Sequence, residues 1–172
     1  MINKEFVILV DEKDNEIGIM EKEEAHVKAM LHRAFSIFIF NDKNELLLQK
    51  RALSKYHSGG MWTNTCCSHP RQNESITDAA HRRLCEEMGF DCELNIKHKF
   101  IYKARFDNGL TEHEFDYVLK GIYNKEVFPN SEEVSEYKWV DLSWVLNDMQ
   151  HNKEKYTPWF NLILSESMSY LL

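Results

Sequence analysis

Apolar runs separated by polar turns predict a chain rich in strands. The predicted strands are Phe6–Val10, Ala34–Phe40, Glu45–Arg51, Ile96–Phe106, Glu112–Tyr123 and Tyr137–Val140. Polar turns are expected at Asp11–Glu16 and Asn41–Asn44. The tripeptide Asp107-Asn108-Gly109 predicts a tight hairpin, because Asn-Gly tolerates the positive φ that such a turn requires.

Helical patterns occupy the segments between and after these strands. Helices are predicted over Thr77–Met88, Leu142–Met149 and Trp159–Tyr170, with a short helix or turn over Glu23–Met30. The first is the clearest, because Ser75 or Thr77 can cap its start and Gly89 follows its end. Since strands and helices mix without strict βαβ alternation, the predicted fold class is α+β, with an α/β/α sandwich around a mixed β-sheet.

One long segment lacks any convincing period. Ala52–Arg71 contains Gly59, Gly60, Asn64 and Pro70, and it is therefore predicted to be a long loop. Loops of that length in a compact domain are usually functional or disordered.

Length and composition are consistent with one domain spanning 1–172. Of the 172 residues, 43% are hydrophobic and 12% are aromatic, which is enough material for one sizeable core. The longest apolar runs, Phe6–Val10 and Ala34–Phe40, are far shorter than the roughly 20 residues of a spanning helix. The first run is also too short for a secretory signal. We therefore expect a cytoplasmic protein with no membrane partner, and its oligomeric state stays open.

The four cysteines predict reduced thiols. Cys66 and Cys67 are adjacent, Cys85 and Cys92 stand apart, and no CxxC pair indicates a zinc knuckle. A thiol near histidine, arginine and a possible cation would ionise readily, because positive charge favours the thiolate. Two small buried thiols are an alternative that the spacing leaves open.

Basic side chains are concentrated in one segment of an acidic chain. The net charge is −7, yet residues 41–83 carry seven basic and four acidic side chains. This distribution favours a small anionic ligand over nucleic acid. Arg51 and Lys55 flank the start of the predicted loop, where they could bind a phosphate group. Ordinary solvated charge is the alternative interpretation, because it would give the same pattern.

Glu112 and Glu114 are two residues apart on a predicted strand and therefore project from the same face. Burying two like charges on one face is costly without a cation, so the pair could hold a metal ion. Alternatively this is the solvent face of the strand, with Phe115 and Tyr117 turned inward.

The helix over Thr77–Met88 carries the most specific pattern. It nearly matches the Nudix box, which ends in REUxEExGU with U a bulky apolar residue; the matching residues are Glu74, Arg82, Leu84, Glu86, Glu87, Gly89 and Phe90. Positions 83, 86 and 87 share one helix face. Ser68 stands where the box has glycine, and Arg83 stands where it has a metal-binding glutamate. The second change should impair multi-metal hydrolysis while leaving Glu87 for one ion and Arg83 for phosphate.

Several further segments accompany the box, in order, between Phe6 and Trp159. They are Glu21-Lys22…His26, Leu31–Ser36, Lys50–Lys55, Trp62–Pro70, Glu112-His113-Glu114 and Thr157-Pro158-Trp159. With these segments the chain resembles the type 1 isopentenyl-diphosphate isomerases, a family of the Nudix superfamily. The family interconverts isopentenyl diphosphate and dimethylallyl diphosphate by moving a double bond.

The resemblance implies an acid–base mechanism. The substrate has no carbonyl to acidify its C–H bonds, so the alkene is protonated to a tertiary carbocation and a proton is removed from the opposite face. By resemblance, Cys67 and Glu114 form the acid–base pair and Tyr102 orients Glu114. Trp159 is similarly implied to cover the carbocation, a cation–π role that suits indole.

The resemblance also implies two metal sites and a diphosphate site. The first metal site consists of His26, His32, His69, Glu112 and Glu114, whose ligand types suit Mn²⁺, Zn²⁺ or Mg²⁺. A Mg²⁺ ion would join Glu87 to the diphosphate. The implied diphosphate-binding residues are Lys22, Arg51, Lys55, Ser68 and Arg83. Neither His113 nor Cys66 is assigned a role.

Two alternative functions remain at this stage. A Nudix hydrolase that cleaves a nucleoside or other diphosphate is disfavoured by Arg83 and leaves Cys67 and Glu114 without a role. A metal-stabilised binding module without catalytic activity would bind the diphosphate without turnover.

Overall fold

The computed structural model describes residues 4–55, 57–106 and 108–172. The strands are β1 (Phe6–Val10), β2 (Glu16–Glu21), β3 (His32–Phe40), β4 (Glu45–Arg51), β5 (Trp62–Thr63), β6 (Cys66–Ser68), β7 (Leu94–Arg105), β8 (Thr111–Ile122) and β9 (Val134–Asp141). The helices are α1 (Lys22–Val27), α2 (Ile76–Met88), α3 (Leu142–His151) and α4 (Pro158–Leu171), with a 3-10 turn at Lys153–Lys155. Within the described ranges, none of the helices is both long enough and apolar enough to cross a lipid bilayer.

The strand β3 organises the sheet. It pairs in parallel with β8 over its whole length, with His32 opposite Glu114. Its other neighbours, β1, β4 and β6, run antiparallel to it, and Cys67 of β6 lies opposite Ser36. The sheet is therefore mixed, as predicted. Two neighbours of β3 carry candidate site residues: β6 carries Cys67, and β8 carries Glu114.

Helices cover both faces of this sheet. Phe38 and Phe40 of β3 pack into a core with α3 and α4. The intervening residues Ile37 and Ile39 pack into a second core with α2. We call these the α4 face and the α2 face. The alternation follows from the two-residue period of a strand, and it confirms the predicted α/β/α sandwich.

All the strands predicted from apolar runs are present, and three others were missed. The prediction of one uninterrupted loop over Ala52–Arg71 is wrong, because β5 and β6 lie within it. These strands have two and three residues, which is too short for any periodicity to register. The sequence analysis also missed β2, an edge strand without buried positions. In the predicted hairpin turn, Asp107 lies outside the described residues, as do residues 1–3 of the predicted domain.

Local capping fixes α2, which carries Arg83 and Glu87. The Ser75 hydroxyl oxygen accepts a hydrogen bond from the backbone N–H of Asp78, so Ser75 is the cap. Gly89 ends the helix in the left-handed conformation at φ 74°. A Cβ at Gly89 would lie 2.1 Å from the Phe128 carbonyl oxygen. The end of the helix therefore requires glycine both for its left-handed backbone and for the close approach of Phe128.

Candidate active site

A cluster of buried donor atoms lies at the start of β3. The donor cluster consists of His26, His32, His69 and Glu114, whose potential ligand atoms all lie within 4.8 Å of one another. They come from α1, β3, the residue after β6, and β8. The pairing of His32 with Glu114 across β3 and β8 brings together side chains that are distant in the chain.

The tautomer of His32 leaves an electron pair facing a carboxylate. Its Nδ1 lies 2.8 Å from the Met30 carbonyl oxygen and must donate to it. The Nε2 atom lies 3.5 Å from a carboxylate oxygen of Glu114, and it has no hydrogen-bond partner among the described residues. Two electron-rich atoms facing each other in a buried site favour a cation between them.

The ionisation states of the cluster also fit a metal ion. Burial, together with the neighbouring His69 and His32, lowers the pKa of His26 to about 3. Burial likewise lowers the pKa of His69, so these imidazoles are neutral and can act as ligands. Burial would raise the pKa of Glu114, but the neighbouring His32 and His69 outweigh it and hold that pKa well below the usual value. Neutral imidazoles with one carboxylate suit a divalent cation.

Glu112 lies beside this cluster and is linked to it by Tyr102. The Tyr102 hydroxyl lies 2.6 Å from one Glu114 oxygen and 3.1 Å from a Glu112 oxygen. Burial and the Glu114 charge raise the pKa of Glu112 well above its usual value. Both glutamates are only 6% exposed, so the solvent-face alternative for this strand is wrong.

Cys67 occupies the same region, on the α4 face. Its side chain packs against the core that contains Tyr102 and Trp159. The Glu114 charge acts on Cys67, and His69, two residues later in the chain, contacts Glu114 at 3.1 Å. Burial and the Asp116 carboxylate raise the pKa of Cys67, so the expectation of a readily ionised thiol is wrong.

Trp159 is enclosed by aromatic and cationic groups. Its indole is 2% exposed, and the Arg51 guanidinium carbon lies 5.2 Å from the ring centroid. The rings of His57 and Phe106 meet it edge to face, at centroid distances of 5.5 and 6.0 Å. This enclosure keeps the indole from solvent, in the same core against which Cys67 packs.

A second charged group lies beside α2. The ion-paired cluster consists of Lys55, Arg83, Glu86, Glu87 and Glu133. Arg83 contacts Glu86 at 2.6 Å, Glu87 more closely, and Glu133 at 3.5 Å. Lys55 also contacts Glu133. The Glu87 carboxylate raises the pKa of Arg83 despite its burial, so the guanidinium stays charged.

The remaining predicted substrate-binding residues lie around these two clusters. The Lys22 ammonium lies 2.8 Å from a Glu5 oxygen, and its charge lowers the pKa of His69. Ser68, half-buried on β6, directly precedes His69. Arg51 lies at Trp159, and its NH2 group donates to the His57 carbonyl oxygen at 3.3 Å.

The sequence analysis missed several residues of the site. Ser36, Asn64 and Asp116 surround the Cys67 sulfur, and His57 covers Trp159. The i, i+2 spacing that singled out Glu112 and Glu114 extends to Asp116 and could have identified it. His57 lies in the segment without periodicity, and no sequence signal marked it.

Comparisons with known proteins agree with this architecture. The NUDIX domain family matches residues 30–160. "Isopentenyl-diphosphate Delta-isomerase 2" of Photorhabdus laumondii is 52% identical, over 96% of this chain and 93% of the relative. The Burkholderia multivorans protein named "Isopentenyl-diphosphate Delta-isomerase" is 48% identical, over 95% of this chain and 93% of the relative.

Solved structures show the same fold. A Deinococcus radiodurans protein superimposes with a TM-score of 0.72 at 16% identity, covering 86% of this chain and 90% of that one. A MutT protein from Methanosarcina mazei gives 0.58 at 22% identity, covering 68% and 81%. At these identities the likeness concerns the fold alone.

Proposed function

The chain belongs to the NUDIX domain family and, within it, to the isopentenyl-diphosphate Delta-isomerases, and on that premise we propose that it interconverts isopentenyl diphosphate and dimethylallyl diphosphate. The small diphosphate is its substrate, and the reaction moves one double bond. Its four thiols are free, which is in keeping with action in the cytoplasm.

Cys67 and Glu114 act as the acid–base pair in this proposal. One of them protonates the alkene to a tertiary carbocation, and the other removes a proton from the opposite face. The observation that carries the proposal is their placement on β6 and β8, which pair with opposite edges of β3. A substrate between them would present one face to the sulfur and the other to the carboxylate.

Tyr102 and Trp159 support the two steps. The Tyr102 hydroxyl, 2.6 Å from Glu114, orients that carboxylate and stabilises its ionised form. The buried indole of Trp159 offers its π face to the cation and keeps water from capturing it. The exclusion of water from the indole depends on its enclosure by His57 and Phe106.

A divalent cation fits the donor cluster, and we propose that it is Mn²⁺, Zn²⁺ or Mg²⁺. Glu114 would hold such an ion together with the three histidines, and the ion would alter the acidity of that carboxylate; Glu87 would hold a Mg²⁺ ion, which would supply positive charge against the diphosphate. Lys22, Arg51, Lys55, Ser68 and Arg83 bind the diphosphate. The basic groups favour this role, because guanidinium and ammonium groups are the usual partners of phosphate oxygens.

Incubation with isopentenyl diphosphate and Mg²⁺ tests the proposal. We expect dimethylallyl diphosphate to form, and the Cys67→Ala variant to lose about 10³-fold or more in turnover, since it lacks one member of the acid–base pair. Cys85→Ala, on the exposed side of α2, is the matched control and should turn over normally. Release of phosphate would indicate a hydrolase, and binding without turnover a non-catalytic module; either result contradicts the proposal.

A further inference from the structure

We propose that Ser36 and Asp116 are positioning residues for the Cys67 sulfur, with the Ser36 hydroxyl stabilising that sulfur once its proton has left. The inference rests on the proposed function, because it concerns how Cys67 serves as an acid and a base. It assigns a role to two fully buried polar side chains that the mechanism above does not use.

The orientation of Asn64 fixes one side of the sulfur. Both amide hydrogens of Asn64 are donated to backbone carbonyls, those of Ile37 at 3.0 Å and Cys66 at 3.1 Å. Its side-chain oxygen must therefore face Cys67, whose sulfur lies 3.1 Å away. This oxygen accepts the thiol hydrogen, so Asn64 holds the protonated form of Cys67.

Asn64 cannot serve the deprotonated sulfur in the same way. A carbonyl oxygen has no hydrogen to donate, and it repels a sulfur that retains the electron pair of the broken S–H bond. A reaction that takes the proton from sulfur therefore requires another donor at that atom, or the buried charge remains unsatisfied.

Ser36 is placed to be that donor. Its hydroxyl oxygen lies 3.4 Å from the Cys67 sulfur and 3.1 Å from a carboxylate oxygen of Asp116. A serine hydroxyl has one hydrogen, which it gives to Asp116 or, by rotation about the C–O bond, to the sulfur. Ser36 can thus hydrogen-bond with sulfur in both of its states.

Asp116 anchors this arrangement from the neighbouring strand. It is 0% exposed, and apart from Ser36 its side chain makes no hydrogen bond with the described residues; its second oxygen is buried without a partner. A carboxyl group is costly to bury in this way. Asp116 contacts Ser36, which in turn contacts the Cys67 sulfur, and the first of these contacts fixes the serine rotamer.

This arrangement serves the transfer of a proton between the Cys67 sulfur and the alkene. The alkene electron pair forms a new C–H bond with the Cys67 hydrogen, the S–H bond breaks, and its electron pair stays on sulfur. The Ser36 hydrogen then turns from Asp116 to the sulfur. In the reverse direction the sulfur regains its proton, and the Ser36 hydrogen returns to Asp116.

Kinetics of the metal-loaded full-length protein test this inference. For Ser36→Ala we expect kcat to fall about 10- to 100-fold, while KM for isopentenyl diphosphate stays within about twofold of wild type. The solvent deuterium isotope effect on kcat should also increase, because proton transfer at sulfur becomes slower relative to the other steps. That ratio does not depend on how much protein is active, so a purely structural role would leave it unchanged.

Conservative and control variants complete the test. Ser36→Thr keeps the hydroxyl and should recover most of the activity. Asp116→Asn keeps the shape but removes a charge that disfavours the deprotonated sulfur, so its loss of kcat should be smaller than that of Ser36→Ala. An increased isotope effect in this variant decides the question if the alanine variant does not fold. Ser167→Ala removes another fully buried serine hydroxyl, from α4, and should retain wild-type kinetics.

The outcomes separate this inference from the proposed function. Wild-type kcat and isotope effect in both Ser36→Ala and Asp116→Asn would overturn the inference, as would a Ser36→Thr protein as slow as Ser36→Ala. A wild-type protein that forms no dimethylallyl diphosphate would contradict the proposed function instead.

Discussion

The donor cluster and the ion-paired cluster both gather polar and charged side chains, but these side chains differ in whether they have partners within the protein. In the donor cluster the Nε2 atom of His32 has no hydrogen-bond partner among the described residues and faces the carboxylate of Glu114. In the ion-paired cluster Lys55 and Arg83 contact the carboxylates of Glu133 and Glu87. The first cluster therefore has a place for a cation, whereas in the second cluster both cations are already paired with carboxylates.

This difference has consequences for what each cluster binds. A cation at the donor cluster would replace the contact between His69 and Glu114 but would displace no lysine or arginine of the ion-paired cluster, so binding there would stabilise the fold directly. An anion at the ion-paired cluster competes with Glu87 and Glu133 for the same cations. Binding at the second cluster is therefore weakened by its own carboxylates, and removing one of them should strengthen it.

The largest expected effect is at the donor cluster. Glu114→Gln should lower turnover by about 10³-fold, because it removes one member of the proposed acid–base pair and a proposed metal ligand while keeping the side-chain shape. Turnover assays with elemental analysis of the purified protein measure both losses. Glu154→Gln, in the exposed 3-10 turn, is the control. Normal metal content in the Glu114 variant would remove Glu114 from the ligand set.

Removal of the metal should have the next largest effect. If the ion is present at about 100 times its dissociation constant, it stabilises the folded state by about 2.7 kcal/mol. Chelation should then lower Tm by about 5–10 °C in a chain of this length. Thermal melting with and without chelator measures the shift. The same shift in Glu114→Gln as in wild type would show that the stabilising ion binds elsewhere.

Reversing one charge in the ion-paired cluster should weaken substrate binding. Arg83→Glu is expected to raise KM for isopentenyl diphosphate about 10- to 100-fold, because it replaces a phosphate partner with a repelling carboxylate. Steady-state kinetics provide the measurement. Arg82→Glu on the same helix is the matched control, since Arg82 pairs with Glu74 at 2.6 Å and with Glu86 at 3.3 Å. An unchanged KM in the Arg83 variant would exclude Arg83 from the diphosphate site.

The smallest expected effect is also the sharpest test of the comparison. Glu133→Gln should lower KM for isopentenyl diphosphate, or the inhibition constant for inorganic pyrophosphate, by about two- to fivefold. The reason is that Lys55 and Arg83 lose a carboxylate that competes with the anion. The effect is small because these ion pairs are only half-buried. Glu136→Gln, which releases the exposed Lys50, is the control. Weaker pyrophosphate binding in the Glu133 variant would mean that Glu133 orients the two cations rather than competing for them.

Much of the fold could be predicted from the sequence because it depends on local signals. Apolar runs identify β3 and β4, and the Ser75 cap with Gly89 delimits α2. The strands β5 and β6 were missed because pairing with β4 and β3, and not their own pattern, creates them. In contrast, β2 has no buried position, so no alternation marks it.

The site was predictable to the extent that its residues lie within recognisable motifs. Resemblance supplied Cys67 and Glu114 as candidates, and the structure shows how β3 relates them. Ser36 was indistinguishable from a core position, since it interrupts an apolar run that is buried throughout. The thiol's pKa could not be predicted, because it depends on burial beside Asp116, which only the tertiary structure creates.

The pairing of His32 with Glu114 joins a residue made early in synthesis to one made much later. Ribosomes release the amino-terminal part of a chain first, and β3 leaves well before β8. The three histidines of the donor cluster are therefore made before Glu114, which joins them only when β8 pairs with β3. A metal ion at this site would thus be bound late, and a nascent chain stalled before β8 would lack the carboxylate of the proposed centre.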